Sequence, residues 1–587
     1  VAESGGIWFD RTMVVAVGLV PLGIVLWRRV QAGAWSRFPE SLRNAGWSAT
    51  PPRPVAPRVA QSAQPTGLPA GLLPLMALAG LAAWAAASDW SPPIHPVTAT
   101  RTEAEALAHE ALAEQGVSLG PEWKTLSSAT DGSDTEHRFI WETAGDSTFH
   151  ALLGDALPVP HWRVRFARFE GDVADRAEEW VVRIIGAGTV DRIRHTLPEG
   201  RPGTRLEEEE ARARVDSALG AWVGTSAGSL ELVSVEPDQH PERTDWTVTY
   251  ADRSVSLPEG EIRVAANVLG DEVTYRRRFV QVPEEWSRDW QRRSVYAMLP
   301  AGAAGLSFGL LLLIALGMGV VRTARRQSDR HVTITAGLIL LAGSLIGTYN
   351  GWASTPFEYQ TARPWPLQFW SSVGWEVFGA LLGAGALAMI LGTMLPRTEV
   401  SRRYAATTWL GIGALMAGLQ AMLGWFSQGM PGLTVGAVGL RWPVLDQVTS
   451  VPSNLLGGIA LTTVVFSFGN RIGGRWPSLW LPWFMVVGAV DGLMVGGAEG
   501  VAWPAVVVGA LVTPGLAWVI RRIGVGVLVP ALLVLAALTG LPSAWNWGPD
   551  RLVGLGIGLV AAWFALQIVW RYGMSSPAVE EAFLDSR

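Results

Sequence analysis

The sequence predicts a polytopic α-helical membrane bundle of about 11 spans with a duplicated α+β extracytoplasmic domain between its second and third spans. Three observations predict it. Apolar stretches of bilayer length occupy most of the chain, arginines mark every second connection between them, and the one long charged segment repeats its own pattern.

Of the 587 residues 49% are hydrophobic and 17% charged, and most charges fall between Ser88 and Arg293, so the chain divides into two materials. The absence of cysteine excludes disulfides, thiolate metal ligation and cysteine nucleophiles. A net charge of −5 without a long basic run gives no reason to expect a nucleic-acid partner.

A hydrocarbon core of about 30 Å requires roughly 20 apolar residues in helix, because backbone groups there have no water to pair with. Eleven segments qualify or nearly so: 12–27, 68–88, 297–321, 332–348, 369–395, 405–426, 452–469, 478–498, 501–519, 523–541 and 551–570. The first is long for a signal core and lacks an A-x-A-like cleavage site, so residues 1–30 read as a retained anchor. Residues 31–67, rich in Pro, Ala, Ser and Arg without apolar periodicity, read as a cytoplasmic linker. The second span, 68–88, leads into two exterior repeats, 89–204 and 205–296; a nine-helix bundle, 297–571, and a cytoplasmic tail, 572–587, complete the chain.

Orientation comes from the positive-inside rule, which is independent of hydropathy. Arg28, Arg29, Arg37, Arg43, Arg53 and Arg58 follow the first span, and Arg322, Arg325, Arg326 and Arg330 the third. Thereafter every second connection is basic: Arg397, Arg402 and Arg403, then Arg471 and Arg475, then Arg521 and Arg522, then Arg571. The intervening loops hold single arginines such as Arg363, Arg441 and Arg551. The N-terminus and residues 89–296 are therefore expected outside and the C-terminus inside. Of 30 tryptophans many sit near span ends, among them Trp84, Trp90, Trp365, Trp370, Trp442 and Trp545, as an interfacial belt requires.

The exterior segment repeats in kind and order. An acidic helix from Thr102 precedes His161-Trp-Arg-Val-Arg-Phe, a second alternating run at Glu179-Trp-Val-Val-Arg-Ile, a turn at Gly186–Gly188 and Leu197-Pro-Glu. A second acidic helix from Glu207 precedes Asp245-Trp-Thr-Val-Thr-Tyr, Glu261-Ile-Arg-Val, Gly270-Asp and Val282-Pro-Glu. Trp162 to Pro198 is 36 residues and Trp246 to Pro283 is 37. Each unit reads as one helix followed by a meander of antiparallel strands.

This pattern resembles the PepSY-type domains of bacterial membrane proteins, with His161 departing where the second unit has Asp245. The resemblance implies a regulatory or peptidase-inhibiting role and hence a bound protein or peptide. A plain spacer is the alternative. With Val282-Pro-Glu-Glu-Trp286, the tract Tyr359-Gln-Thr-Ala-Arg-Pro-Trp365 and the helices that follow, the membrane part is similar to the CAAX-protease and bacteriocin-processing group, which implies a bacterial cytoplasmic membrane. Those peptidases share a Glu-Glu-x-x-x-Arg motif and two later His-bearing helices. Here no Glu-Glu pair lies in a span, Glu580-Glu581 falls in the tail, and no histidine follows His331, so the kinship implies a catalytically dead member.

Ionisable residues in or beside spans are functional candidates, because a charge at mid-bilayer costs several kcal/mol. These are Glu376, Asp446, Asp491 and Glu499. Asp491 is expected deepest, with Gln420, Asn454 or a loop arginine as partner; a plain helix-packing contact is the alternative. Gly379–Gly383 and Gly554–Gly558 have the spacing of close helix packing. His95, His109, His137, His150, His161, His195 and His240 lack metal-ligand spacing, and no nucleotide or nucleophile-elbow motif occurs, so neither metal nor cofactor is expected. Three readings stay open. The first is a non-catalytic sensor, regulator or accessory subunit that binds a protein or peptide on its exterior domain. The others are a divergent intramembrane peptidase using Glu376 or Asp491, and a transporter built around Asp491. Beyond the lipid bilayer, the only partner expected is that protein or peptide.

Overall fold

The computed structural model describes residues 71–132, 135–223, 230–400, 405–426, 429–495 and 502–570. The expected anchor 12–27, linker 31–67 and tail 572–587, and the candidate Glu499, lie outside the described residues. Helix α1 (Leu72–Ala87) is apolar but only 16 residues long. It leads into α2 (Arg101–Glu114), β1 (Lys124–Thr130), α3 (Thr135–Thr143), α4 (Gly145–Leu152), β2 (His161–Ala167), β3 (Glu179–Ile185) and β4 (Thr189–Thr196). Then come α5 (Glu208–Val223), β5 (Leu230–Gln239), β6 (Thr244–Asp252), β7 (Glu261–Leu269) and β8 (Glu272–Gln281). The membrane part follows as α6 (Glu284–Ala324), α7 (Arg330–Gly351), α8 (Trp365–Met394), α9 (Ala406–Phe426), α10 (Pro443–Arg475), α11 (Trp480–Val495), α12 (Trp503–Ile523), α13 (Leu528–Trp547) and α14 (Pro549–Trp570). Among the described residues these nine are long and apolar enough to cross a membrane, and the protein is membrane-embedded.

Two helices begin earlier than expected. Helix α6 starts at Glu284 rather than near 297, because Glu284-Glu-Trp-Ser-Arg-Asp-Trp-Gln-Arg-Arg contains no breaker and its first-turn carboxylates favour the helix N-terminus. It runs without interruption from the last strand into the apolar region. Helix α10 starts at Pro443 and passes through Pro452, where the sequence reading began the span; membrane helices tolerate an internal proline when neighbours satisfy the freed carbonyl.

Small residues bring the helices together. A Cβ on Gly80 of α1 would lie 2.5 Å from the backbone of Ala414 in α9, and one on Gly488 of α11 would lie 2.0 Å from the Gly509 oxygen of α12. Gly558 packs on Gln447 as its spacing suggested, but Gly379 and Gly383 meet nothing within 4 Å. That expectation is not met among the described residues, none of which packs on these two glycines of α8. At the helix ends remote from the strands, Arg397 pairs with Asp329 (2.9 Å), Arg322 donates to the Thr393 carbonyl (2.8 Å) and Trp570 to that of Leu395 (3.0 Å). Among the described residues, Arg322, Arg397, Arg475 and Arg521 lie at that end of their helices.

The strands form two antiparallel sheets of the same order, β1-β2-β3-β4 and β5-β6-β7-β8, each preceded by a helix that covers one face. We call these helix-and-sheet units module 1 and module 2. In module 1 Trp162 pairs with Ile184, and the register shifts between Arg183 and Ile184. In module 2 Trp246 pairs with Val268, and the register shifts between Asn267 and Val268. Each indole N–H donates to a carbonyl at the entry to its module's helix: Trp162 to Ala99 (2.8 Å) and Trp246 to Leu206 (3.0 Å). A buried indole must find such an acceptor, so the bond fixes where each helix starts on its sheet. Thr100 then caps α2 in a capping box with Glu103. Module 1 alone inserts α3 and α4 between its first two strands, and their Phe139, Ile140 and Phe149 bury against Ile262 and Val280 of module 2.

Candidate functional site

Two clusters of charged side chains lie at the boundaries of the modules, one at the junction with the membrane part and one at the seam between the modules. At the junction Arg101, the first residue of α2, sends its guanidinium into a nest of acceptors. Nη1 donates to the Ser127 carbonyl (2.6 Å), the Ser127 hydroxyl (2.6 Å) and the Ala353 carbonyl (3.3 Å); Nη2 donates to the Ser354 hydroxyl (2.9 Å) and the Gly439 carbonyl (2.6 Å). Burial lowers its pKa from the ordinary value, partly offset by the Glu105 carboxylate. Arg165 of β2 grips Glu179 and donates to the carbonyls of Phe357 (2.7 Å) and Tyr359 (2.8 Å). Asp131 accepts from the Val435 N–H (2.8 Å), and Leu126 and Phe169 bury against Phe357, Tyr359 and Trp365. The tract 359–365, singled out in the sequence, is thus part of the surface on which module 1 sits.

At the seam β4 lies beside β8. The His195 ring stacks on Trp180 (centroids 3.6 Å apart, planes 9° apart), with Nε2 3.2 Å from Glu178 and Nδ1 3.2 Å from Glu272 of the other module. Glu178 also binds Arg168 (3.0 Å) and Arg201 (2.6 Å). Arg192 reaches the Tyr275 hydroxyl (2.9 Å), and Arg278 pairs with Asp155 of the α4–β2 connection and with Asp252 (2.6 Å). A general base needs a ring nitrogen facing its substrate. Here both nitrogens face carboxylates and the ring face is covered, so the arrangement works as a clasp between modules.

The chain matches no protein-family model, no curated protein and no solved structure. The functional reading therefore rests on geometry.

The intramembrane candidates are dispersed. Glu376 is exposed on α8 and accepts from the Thr348 hydroxyl at 3.4 Å. Asp446 lies in the first turn of α10 and pairs with Arg551 of α14 (3.3 Å), a clamp between two helix ends on the module side. Asp491 is exposed on α11, next to Gly492, which packs on Ala505 of α12; among the described residues it pairs with neither Gln420, Asn454 nor an arginine. None of the expected partners reaches it, because the tight glycine contact turns the adjacent position outward. No hydrogen bond or ion pair joins Glu376 to Asp491. Among the described residues no three metal-ligating side chains converge. The histidines serve locally: His137 bonds the Pro158 carbonyl (2.7 Å), His240 approaches Asp245 (3.1 Å), and His161 bonds the Val159 carbonyl (2.7 Å). Burial and then the Arg183 charge push the His161 pKa down to about 3.

The sequence singles out neither Arg101, Glu178 nor Glu272, and gives His195 only as one of the scattered histidines, without its place between the modules. Their hydrogen-bonding partners lie 10 to 338 positions away, and one signal, an Arg opening a capped helix beside a small acceptor-rich loop, is legible only once the loop is known.

Proposed function

We propose that this is a non-catalytic integral membrane protein that holds a protein or peptide partner on module 2, as a regulator or accessory subunit of a membrane assembly. In this reading the modules are an internal duplication related to PepSY-type domains. They lie outside a bacterial cytoplasmic membrane crossed 11 times, with the C-terminus inside, as the arginine alternation implies.

The observation that carries the reading is the unequal use of the four sheet edges. Edge β1 is covered by residues 352–358, and β4 and β8 face each other, whereas β5 is exposed over most of its length with Leu232 and Val233 uncovered. An edge strand with unpaired N–H and C=O groups accepts an extended segment by β-addition, side-chain pockets supplying specificity. The matching bulge and indole bonds support duplication, with one copy fixed to the membrane part and the other left to bind.

The test is co-purification of the full chain in mild detergent, with a photo-crosslinking residue at Ser234. A discrete, stoichiometric crosslinked partner, lost when Val233→Pro removes a backbone donor from the edge, is expected. An unchanged partner in that variant, or no partner at all, would sink the reading.

A further inference from the structure

At the module side of the membrane, α1, α9 and α13 diverge around an open cleft of about 770 Å³ that neither module fills. Its walls are Trp84, Trp547, Met430 and the Pro92-Pro93 and Pro431 turns, and its polar lining includes Gln420, Thr539, Ser543 and Asn546. Gln420 lies six residues before the end of α9 and Thr539 eight before the end of α13, so at 1.5 Å per residue the cleft dips roughly 9 to 12 Å below the helix ends.

At that depth the Thr539 hydroxyl donates to the Leu535 carbonyl of its own helix (2.8 Å), and the Gln420 amide is left over. Among the described residues neither the Gln420 amide nor the Ser543 hydroxyl has a hydrogen-bond partner, although both side chains are exposed. The Asn546 Nδ2 donates to the Asp89 carbonyl (3.1 Å) while its Oδ1 is buried without a partner. An unpaired amide facing hydrocarbon is costly, so a hydrogen-bonding occupant of the cleft is favoured over a lipid tail.

The lining selects the ligand. Asp89 is the sole ionised side chain among the lining residues, and no cation is present to receive a phosphate or carboxylate. Two amides and one carboxylate, each able to engage a vicinal pair of hydroxyls, and five hydroxyl side chains stand beside two indoles that can take an apolar sugar face. We propose that the cleft binds an uncharged glycosyl group, presented as the headgroup of a membrane lipid at the hydrocarbon boundary.

The test is native mass spectrometry of the full chain in an amine-oxide detergent, which carries no sugar. The probes are glucosyl-diacylglycerol, diacylglycerol, phosphatidylglycerol and free maltose. Saturable binding of the glycolipid, at least tenfold tighter than of diacylglycerol or phosphatidylglycerol, is expected. Maltose binding as tightly as the glycolipid would support the same chemistry with a water-borne source. Two variants guard against misfolding: Gln420→Met keeps size, and Gly424→Leu fills the cleft from a position whose Cβ meets nothing within 4 Å. Both should melt like the parent and bind the glycolipid at least tenfold more weakly. Equal binding of phosphatidylglycerol, or full binding by both variants, would overturn the proposal.

Discussion

Replacing Arg101 by Met should loosen module 1 from the membrane part without unfolding either. The guanidinium makes five hydrogen bonds, three of them across the junction to Ala353, Ser354 and Gly439, and lies 4.9 Å from the Trp162 ring centroid. A hydrogen bond to a charged donor contributes about 1.5–3 kcal/mol, and an acceptor left buried without a donor costs about 1–3 kcal/mol. Simple addition overstates the loss, because the site is only part-buried and water can reach some of the vacated acceptors. Methionine also keeps much of the packing of the arginine stem. A loss of about 3 kcal/mol in docking free energy follows, and at 1.4 kcal/mol per decade it raises the junction's opening equilibrium roughly 150-fold. Hydrogen exchange reads this directly through the amides of Tyr359, Leu440 and Arg441, which bond to Pro356, Ala437 and Asn350 within the receiving loops. Those amides should exchange on the order of 100-fold faster while the amides of Val164 and Val182 in the module 1 core hold. Arg101→Lys should recover only part of the protection, since an ammonium lacks the fork that reaches both Ser354 and Gly439. Exchange within threefold of the parent at all three amides would refute the docking account.

Further outcomes follow from single contacts. His161 has a pKa of about 3 in the fold against about 6.5 unfolded, so the unfolded chain binds the proton first; its stabilisation is full above pH 6.5 and falls by about 1.4 kcal/mol per pH unit toward pH 3. A melting temperature that drops across that window in the parent and less steeply in His161→Gln is expected; parallel curves would refute it. Gly488→Leu should separate α11 from α12 and lower the melting temperature sharply, whereas Gly379→Ala, whose Cβ meets nothing, should leave it unchanged. Equal effects would contradict the packing described. In this cysteine-free chain, His240→Cys should react with an impermeant maleimide in intact cells, and labelling only after permeabilisation would reverse the proposed topology.

The membrane helices were legible because hydrocarbon imposes one requirement on every span, internal backbone pairing over a fixed length, and that requirement writes itself into composition. Where the reading slipped, apolar composition stood for the helix itself: the expected span began at 452, while α10 starts at Pro443 and continues through Pro452. The paired helix-and-meander pattern was legible from Trp162 and Trp246, since period-two alternation with a large aromatic at one position is hard to accommodate in anything but a half-buried strand. The inserted α3 and α4 escaped it. Their Phe139, Ile140 and Phe149 carry too short a periodic run to distinguish helix from loop, and the surface they bury against belongs to the other module.

Sites are harder to read than folds because a span's charges are conspicuous in sequence whether or not anything faces them. Asp491 drew attention as a carboxylate among apolar residues, yet its direction was set by the neighbouring Gly492, whose contact with Ala505 dictates which side of α11 turns inward. Asp446 was equally visible, but its partner Arg551 lies 105 positions on and reduces it to a clamp between helix ends. The converse holds for Gln420 and Asn546. Gln420 drew notice only as a partner for Asp491 and Asn546 not at all, since a neutral amide near a span end is ordinary, and only the cleft among α1, α9 and α13 brings the two to one space. Uncompensated polarity, rather than formal charge, therefore marks the place in the membrane part where a ligand has something to gain.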